Sequence, residues 1–335
     1  MERALPCPPS KMRRPGQIMR YMKPGLVLIL LVMLAPRVFY AQTLPSEPLS
    51  IPVFHPMVLN PAYTGSKDFT HISLSTKALR SPSHQIACLH TRIGANHESF
   101  TPFGLGAYLF RNQYESYRRP GFALAGAYHF RLDKEFVHML SVGASLKASA
   151  YLPKSAANEG ERENKHFDPN MDFGLYYYGP NAFAGISATQ VFGSKTTEDI
   201  DLNHPAYISR SYHLFGGYKI MLNRESGIVL EPSVLVSVTD STFGQIHQHI
   251  TPFFKLYLQN FYLGTSIKPF LFSDFWKSIE VYTLFFQYQF PRFYSGVYLE
   301  FPKTGFLNDD NIIFEVSLGI LLSKEGSRFE RYRHW

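Results

Sequence analysis

Alternation of apolar and small polar residues, sustained over stretches of about 9–12 residues, constrains this chain more than any other feature. From Leu140 to Ala148, Leu140, Val142, Ala144, Leu146 and Ala148 fall on one side, and Ser141, Gly143, Ser145 and Lys147 on the other. Successive side chains of a strand point to opposite faces, so this segment has one apolar and one weakly polar face. Ile72, Leu74, Thr76 and Ala78 oppose Ser73, Ser75 and Lys77 in the same way. Val234, Val236 and Val238 oppose Ser233 and Ser237. Phe261, Leu263, Thr265 and Ile267 oppose Tyr262, Gly264, Ser266 and Lys268. Ile312, Phe314, Val316, Leu318, Ile320 and Leu322 face away from Glu315, Ser317 and Gly319.

About fourteen such segments follow one another, near 69–79, 84–94, 103–111, 121–131, 138–151, 171–178, 182–191, 209–221, 227–238, 251–259, 261–268, 279–290, 293–301 and 311–322. Soluble strands average about 5–6 residues, whereas tilted strands that cross a bilayer need roughly 9–11. Beyond residue 41 no apolar run is long enough for a membrane-spanning helix. A soluble sandwich would carry large residues on its shared inner face and charge on its outer one. Here one face is continuously apolar and the other is Ser, Gly and Thr, which suits lipid outside and a narrow or filled lumen within. Closure also removes the sheet edges that an open sheet would expose. The expectation is an all-β fold: a transmembrane antiparallel β-barrel of about 14 strands in up-and-down order, an even number as bacterial barrels require.

Aromatic residues make up 16% of the chain and gather near segment ends, at Tyr176–Tyr178, Phe253–Phe254, Phe285, Phe286, Tyr288, Phe293 and Tyr294. They read as an interfacial girdle, with core packing as the alternative. Connections contrast in length. Asn223–Gly227 and Gln259-Asn260 are short, while 152–170 and 192–208 are long and polar, as short periplasmic turns and long external loops would be.

Of the net charge of +7, +6 belongs to the first 41 residues. Arg3, Lys11, Arg13, Arg14, Arg20, Lys23 and Arg37 lie there against Glu2 alone, leaving 26 basic and 25 acidic residues in the remainder. A nucleic-acid partner is therefore not expected. Cations ending at Lys23, the apolar run Leu26–Leu34 and cleavage after Ala41 describe a secretory signal. The expected organisation is a signal peptide at 1–41, a periplasmic or luminal segment at 42–67, the barrel at 68–322 and a tail at 323–335. Cys7 precedes the apolar run and cannot be an acylated first residue. Cys88 alone survives processing, so no disulfide forms within the mature chain, and it reads as a small apolar residue on a strand.

Chemistry is sparse. No hydrolase elbow, zinc-protease helix, phosphate loop or cysteine cluster occurs. His247 and His249 share a strand face but lack a third ligand nearby. The run Asn158–Lys165 reads as a solvated loop. No catalytic residue, metal or cofactor is expected. Two functional classes remain from the residues alone: a structural or anchoring barrel, and a general diffusion porin or small-solute channel. The scarcity of charge on the polar faces favours the first.

Leu59-Asn60-Pro61-Ala62-Tyr63-Thr64-Gly65-Ser66 resembles the N-terminal signature of the PorP/SprF family of Bacteroidetes type IX secretion. Further matches keep the family's order: Gly104-Leu105-Gly106, Gly126–Leu132, Leu140–Gly143, Met171–Tyr177, Phe183–Ser187, Gly216-Gly217-Tyr218 and Leu230–Ser233. They span about 52–322, the greater part of the mature chain. Lys77-Ala78-Leu79-Arg80 departs from the aromatic pair usual there, and about thirteen residues follow the last strand where many barrels end on a terminal aromatic.

The resemblance implies a non-enzymatic outer-membrane component of type IX export, in some relatives serving gliding adhesins. It implies docking to a periplasmic ring lipoprotein and its partner, to a peptidoglycan-binding envelope protein and, in paralogues, to a secreted cargo protein. Asn60, Pro61, Ala62, Tyr63 and Gly65 are the partner-binding residues expected on that resemblance. Physically, Asn before Pro and a Gly four residues beyond it punctuate a turn. Such a turn aims 42–60 into the lumen or across the periplasmic mouth, or simply leads into the first strand.

Overall fold

The computed structural model describes residues 50–67, 69–77, 83–93, 101–114, 116–133, 138–154, 165–193, 208–240, 250–268, 281–302 and 312–322. Two four-residue helices, α1 (Ile51–Phe54) and α2 (Pro56–Leu59), and a 3-10 turn at Pro61–Tyr63 precede the strands. These are β1 (Thr70–Lys77), β2 (Ser83–Arg92), β3 (Phe103–Gln113), β4 (Tyr117–Arg131), β5 (Met139–Pro153), β6 (His166–Tyr178), β7 (Ala182–Thr189), β8 (Ser211–Tyr218), β9 (Ile220–Asn223), β10 (Ile228–Thr239), β11 (Ile250–Leu258), β12 (Phe261–Lys268), β13 (Val281–Gln289), β14 (Phe293–Pro302) and β15 (Ile313–Leu322).

Each strand pairs antiparallel with its sequence neighbours, and β1 closes the ring on β15 in the register Thr70↔Leu322 to Lys77↔Glu315. Lys219 alone separates β8 from β9, and both pair with β10, so together they form one stave of a closed, 14-strand, up-and-down barrel. Each of the expected segments overlaps a stave. The wall extends beyond expectation at β4 and β6, which begin at Tyr117 and His166 and carry Pro120 and Pro169 in their ladders. Proline removes a ladder donor and masks a strand's pattern without preventing its continuation here.

The two faces divide as the alternation demands. Leu74, Leu109, Leu124, Leu146, Ile186, Leu214 and Leu318 are each more than half exposed on the outer wall. Ser73, Ser75, Ser141, Ser145, Ser187, Ser266, Thr283 and Ser317 are buried inside. An apolar belt of this continuity is stable only against lipid.

The aromatic clusters divide too. Phe254, Phe286 and Phe293 face outward, but Tyr176, Phe253, Phe285 and Tyr294 are buried in the lumen. Neighbouring residues of a strand cannot share a face, so half of the expected girdle is lumen packing instead.

One end of the barrel carries the short turns 179–181, 224–227, Gln259-Asn260 and 290–292, together with the connections 93–102 and 132–138. Gln259, at φ 56°, makes its two-residue connection possible. The chain also enters β1 and leaves β15 at this end. The connections at the opposite end include 154–165, 190–210 and 269–280.

Candidate functional site: the luminal segment

Pro52, Pro56 and Pro61 each open a short helical turn. Proline suits the first turn of a helix but breaks an interior, so three of them at this spacing force a chain of single turns. Such turns leave many carbonyls without intrahelical partners. Inside the barrel these are met by the inner wall. Ser187 donates to Leu59 O (2.5 Å), Ser141 to Ala62 O (2.7 Å), His129 Nε2 to Thr64 O (2.9 Å) and Arg92 Nε to Gly65 O (2.8 Å).

Asn60 is the hub. Its Oδ1 accepts from Ala62 N at 2.9 Å, fixing the turn, while Nδ2 donates to Leu175 O (2.9 Å) and Ile186 O (3.3 Å) on the paired staves β6 and β7. Asparagine can do this because one side chain offers an acceptor and two donors.

The polar contacts at Thr64 and Gly65 form a directed chain. His129 Nε2 faces a carbonyl and must carry its proton, so Nδ1 accepts from Tyr178 OH at 3.0 Å. The Tyr178 oxygen in turn accepts from Arg92 at 2.5 Å, and Arg92 returns to Gly65 O.

The wall is hollowed to receive the backbone. A Cβ on Gly104 would stand 2.2 Å from Thr64 O, one on Gly143 2.4 Å from Ala62 N, and one on Gly174 2.0 Å from Asn60 Oδ1. These glycines belong to the ordered motifs noted in the sequence, and close backbone approach is their physical role. Gly65 itself holds a positive φ of 73°.

Apolar contacts complete the seat. Ile51, Phe54 and Leu59 join Leu235, Phe253, Phe285 and Tyr298 in one cluster, and Met57 joins Ile86, Cys88, Tyr108, Ala123 and Ala125 in another. Tyr63 packs on His90 and Tyr176 at centroid distances of 5.7 and 5.4 Å. His55 sits between Ser73 (3.1 Å) and Ser75 (2.7 Å). Burial, with His71 and His84 nearby, pushes it down to about 3, so it is neutral at physiological pH.

Residues 50–66 therefore touch staves around most of the ring and occupy the lumen. Asn60, Pro61, Ala62 and Gly65 are buried and Tyr63 is half-buried, all against the barrel's inner wall. Three ion pairs lie in the lumen: Lys77 with Glu300 (2.8 Å), Lys147 with Asp172 (3.0 Å) and Lys255 with Glu231 (3.2 Å). Among the described residues no group of three or more His, Cys, Asp or Glu is placed to hold a metal. His247, His249 and residues 158–164 lie outside the described residues. Ser141, Ser187, Arg92, His129 and Tyr178 were not expected as site residues, and Tyr178 read as part of the girdle. Their only signal is a polar or titratable residue at an inward parity, which many strands share.

A plugged barrel with this ordered set of motifs matches, over residues 53–320, the family described as type IX secretion system membrane protein PorP/SprF. The chain belongs to the PorP/SprF family. No curated protein matches it. Among solved structures it is similar to BamA from Haemophilus ducreyi lacking POTRA domains 1–3, at 10% identity and TM-score 0.39, covering 76% of this chain and 70% of that one. A Rhodopseudomonas blastica porin mutant aligns at 7% identity and TM-score 0.30, covering 76% and 98%. Salmonella typhi OmpF in complex with daunomycin aligns at 7% and 0.28, covering 76% and 95%. The PorP/SprF assignment stands on the family match, and the barrel on its own strand pairing.

Proposed function

We propose that this PorP/SprF protein is a self-plugged, non-enzymatic outer-membrane barrel that anchors periplasmic machinery of type IX secretion. The observation that carries this reading is the occupation of the lumen by residues 50–66. A diffusion channel needs an open, charged bore, and here residues 50–66 occupy the bore and three of its lysines are paired with carboxylates. Short turns and both barrel-strand termini at one end support placing that end in the periplasm. Residues 1–41 then act as a cleaved export signal.

Docking runs through the periplasmic turns and the segment 42–67. The partners proposed are the periplasmic ring lipoprotein and its partner, and a peptidoglycan-binding envelope protein, with a secreted cargo protein as a further candidate. Asn60, Pro61, Ala62, Tyr63 and Gly65 serve this role by holding the periplasmic end of the segment in shape, so that exposed Lys67 projects at the mouth. A partner reaches the five themselves only after the segment leaves the lumen.

The test is deletion of the gene with assay of type IX cargo outside the cell, alongside co-purification of envelope partners and conductance of the pure barrel in planar bilayers. Loss of export, partner capture and negligible steady conductance are expected. Intact export would overturn the secretion role, and a large steady conductance of the unaltered barrel would overturn the plugged one.

A further inference from the structure

The outer wall of the β3–β4 hairpin changes character abruptly at the long-loop end. Leu109 and Phe122 are directly paired and exposed at 63% and 48%. Two residues further on, Arg111 pairs with Pro120, and two beyond that Gln113 pairs with Arg118. Arg111 and Arg118 lie on the same face as Leu109 and Phe122 because parity is preserved along both strands, and both are exposed. Each step of two residues climbs roughly 7 Å along the strand, so the guanidinium groups stand just beyond the edge of the apolar belt.

Lys77, Lys147 and Lys255 are paired within the lumen, and Arg210 pairs with Asp240 at the long-loop end. Arg111 donates to Gln113 Oε1 at 3.2 Å, and among the described residues neither Arg111 nor Arg118 has a carboxylate partner. Arg119 of the same tip, on the opposite face of β4, lies over the Tyr117 ring at 6.0 Å, and Lys154, just past β5, donates to Tyr114 O at 2.6 Å. Tyr114 and Tyr117 stack at 4.4 Å and stiffen the tip. In sequence, residues 111–119 of the hairpin hold three arginines against Glu115.

We infer that this surface binds a phosphorylated membrane lipid, with its acyl chains on Leu109 and Phe122 and its phosphate between Arg111 and Arg118. Guanidinium groups match phosphate geometry with paired, charge-assisted hydrogen bonds, and an apolar seat directly beneath them fits a lipid rather than a free anion. The inference rests on the orientation proposed above, in which the long-loop end faces the outer leaflet. The lipid class is then a phosphorylated glycolipid of that leaflet.

The test uses the full barrel in zwitterionic detergent and native mass spectrometry. The probes are bis-phosphorylated lipid A and the same lipid without phosphates, with millimolar inorganic phosphate as competitor. The wild type is expected to retain lipid A, and Arg111→Gln/Arg118→Gln to lose roughly tenfold or more in retention. Arg224→Gln, at a turn on the other end, should behave as wild type. Phosphate should not displace the lipid. Heat-modifiable gel mobility checks that each variant is folded, and Arg111→Lys, which keeps charge but loses the fork, should show an intermediate loss if the double variant fails to fold. Equal retention by the folded Gln or Lys variant, equal retention of the dephosphorylated lipid, or displacement by inorganic phosphate would overturn the site. Export of type IX cargo is a separate readout, so failure of the secretion reading leaves this result interpretable.

Discussion

Gly174 lies so close to Asn60 that a Cβ built on it would stand 2.0 Å from Oδ1 of the asparagine. The glycine is on β6 and the asparagine is in the segment it receives, so one hydrogen atom in place of a methyl group lets the lumen close. Gly174→Ala should push Asn60 off its hydrogen bonds at a cost of roughly 1–3 kcal/mol, the usual range for overpacking. Faster tryptic cleavage at exposed Lys67, with the barrel still heat-modifiable, is the expected readout. Unchanged cleavage would mean the segment accommodates the methyl.

Asn60→Ala removes the acceptor for Ala62 N and both donors to β6 and β7. At about 0.5–1.5 kcal/mol per hydrogen bond, the loss is roughly 2–4 kcal/mol. Asn60→Asp should be no milder, because a carboxylate has no donor for the Leu175 and Ile186 carbonyls. Transient conductance events in planar bilayers should rise in both variants relative to wild type.

Phe54 packs edge-on to Tyr298 at 6.2 Å within the larger luminal cluster. Phe54→Ala should cost about 3–5 kcal/mol through the cavity it leaves. Part of that loss will appear as a lower temperature for the gel-mobility shift, and a shift unchanged within a degree or two would argue against the packing described.

Acid should loosen the segment through His55. The side chain ordinarily titrates near 6.5 but is held at about 3 in the fold. Between those values the unfolded state binds the extra proton, so the stability is fully present above about pH 6.5 and is lost progressively as pH falls toward 3. By pH 4 the loss approaches roughly 3 kcal/mol. Tryptic release at Lys67 cannot be followed at that pH, so pepsin sensitivity serves instead. His55→Gln, which keeps hydrogen-bonding capacity for Ser73 and Ser75 without titrating, should flatten the acid dependence attributable to this site.

Arg92→Gln breaks the directed chain that ends on Gly65 and leaves Tyr178 without its donor. A loss of about 1.5–3 kcal/mol is expected for a hydrogen bond from a charged group. Increased cleavage at Lys67 in Arg92→Gln, with conductance little changed, would place the effect at the short-turn end of the segment rather than across the whole plug.

Much of the wall was legible because its information is local. Parity along a strand decides which residues meet lipid, and Leu140–Ala148 or Ile312–Leu322 reveal it without any partner. The Asn60-Pro61 turn was legible for the same reason: its chemistry lies within a few residues. Its destination was not, since the groups that receive it, Ser141, Leu175 and Ile186, lie 79 to 126 positions away and none is unusual in its own strand. The girdle reading failed at Tyr176 and Phe285 because aromatic residues satisfy lipid and a packed lumen equally well, and only parity against the closed ring separates the two.

By itself, then, the sequence determined an antiparallel barrel of fourteen staves with a weakly polar interior, because a two-residue period, strand length and turn residues are short-range properties of the chain. Tertiary structure alone decided that residues 50–66 fill that interior. Three prolines specify single turns but not their surroundings. Orphan carbonyls, a hub asparagine and apolar side chains became a plug only where a hollowed glycine wall, paired lumen charges and distant donors were brought around them by closure of the ring.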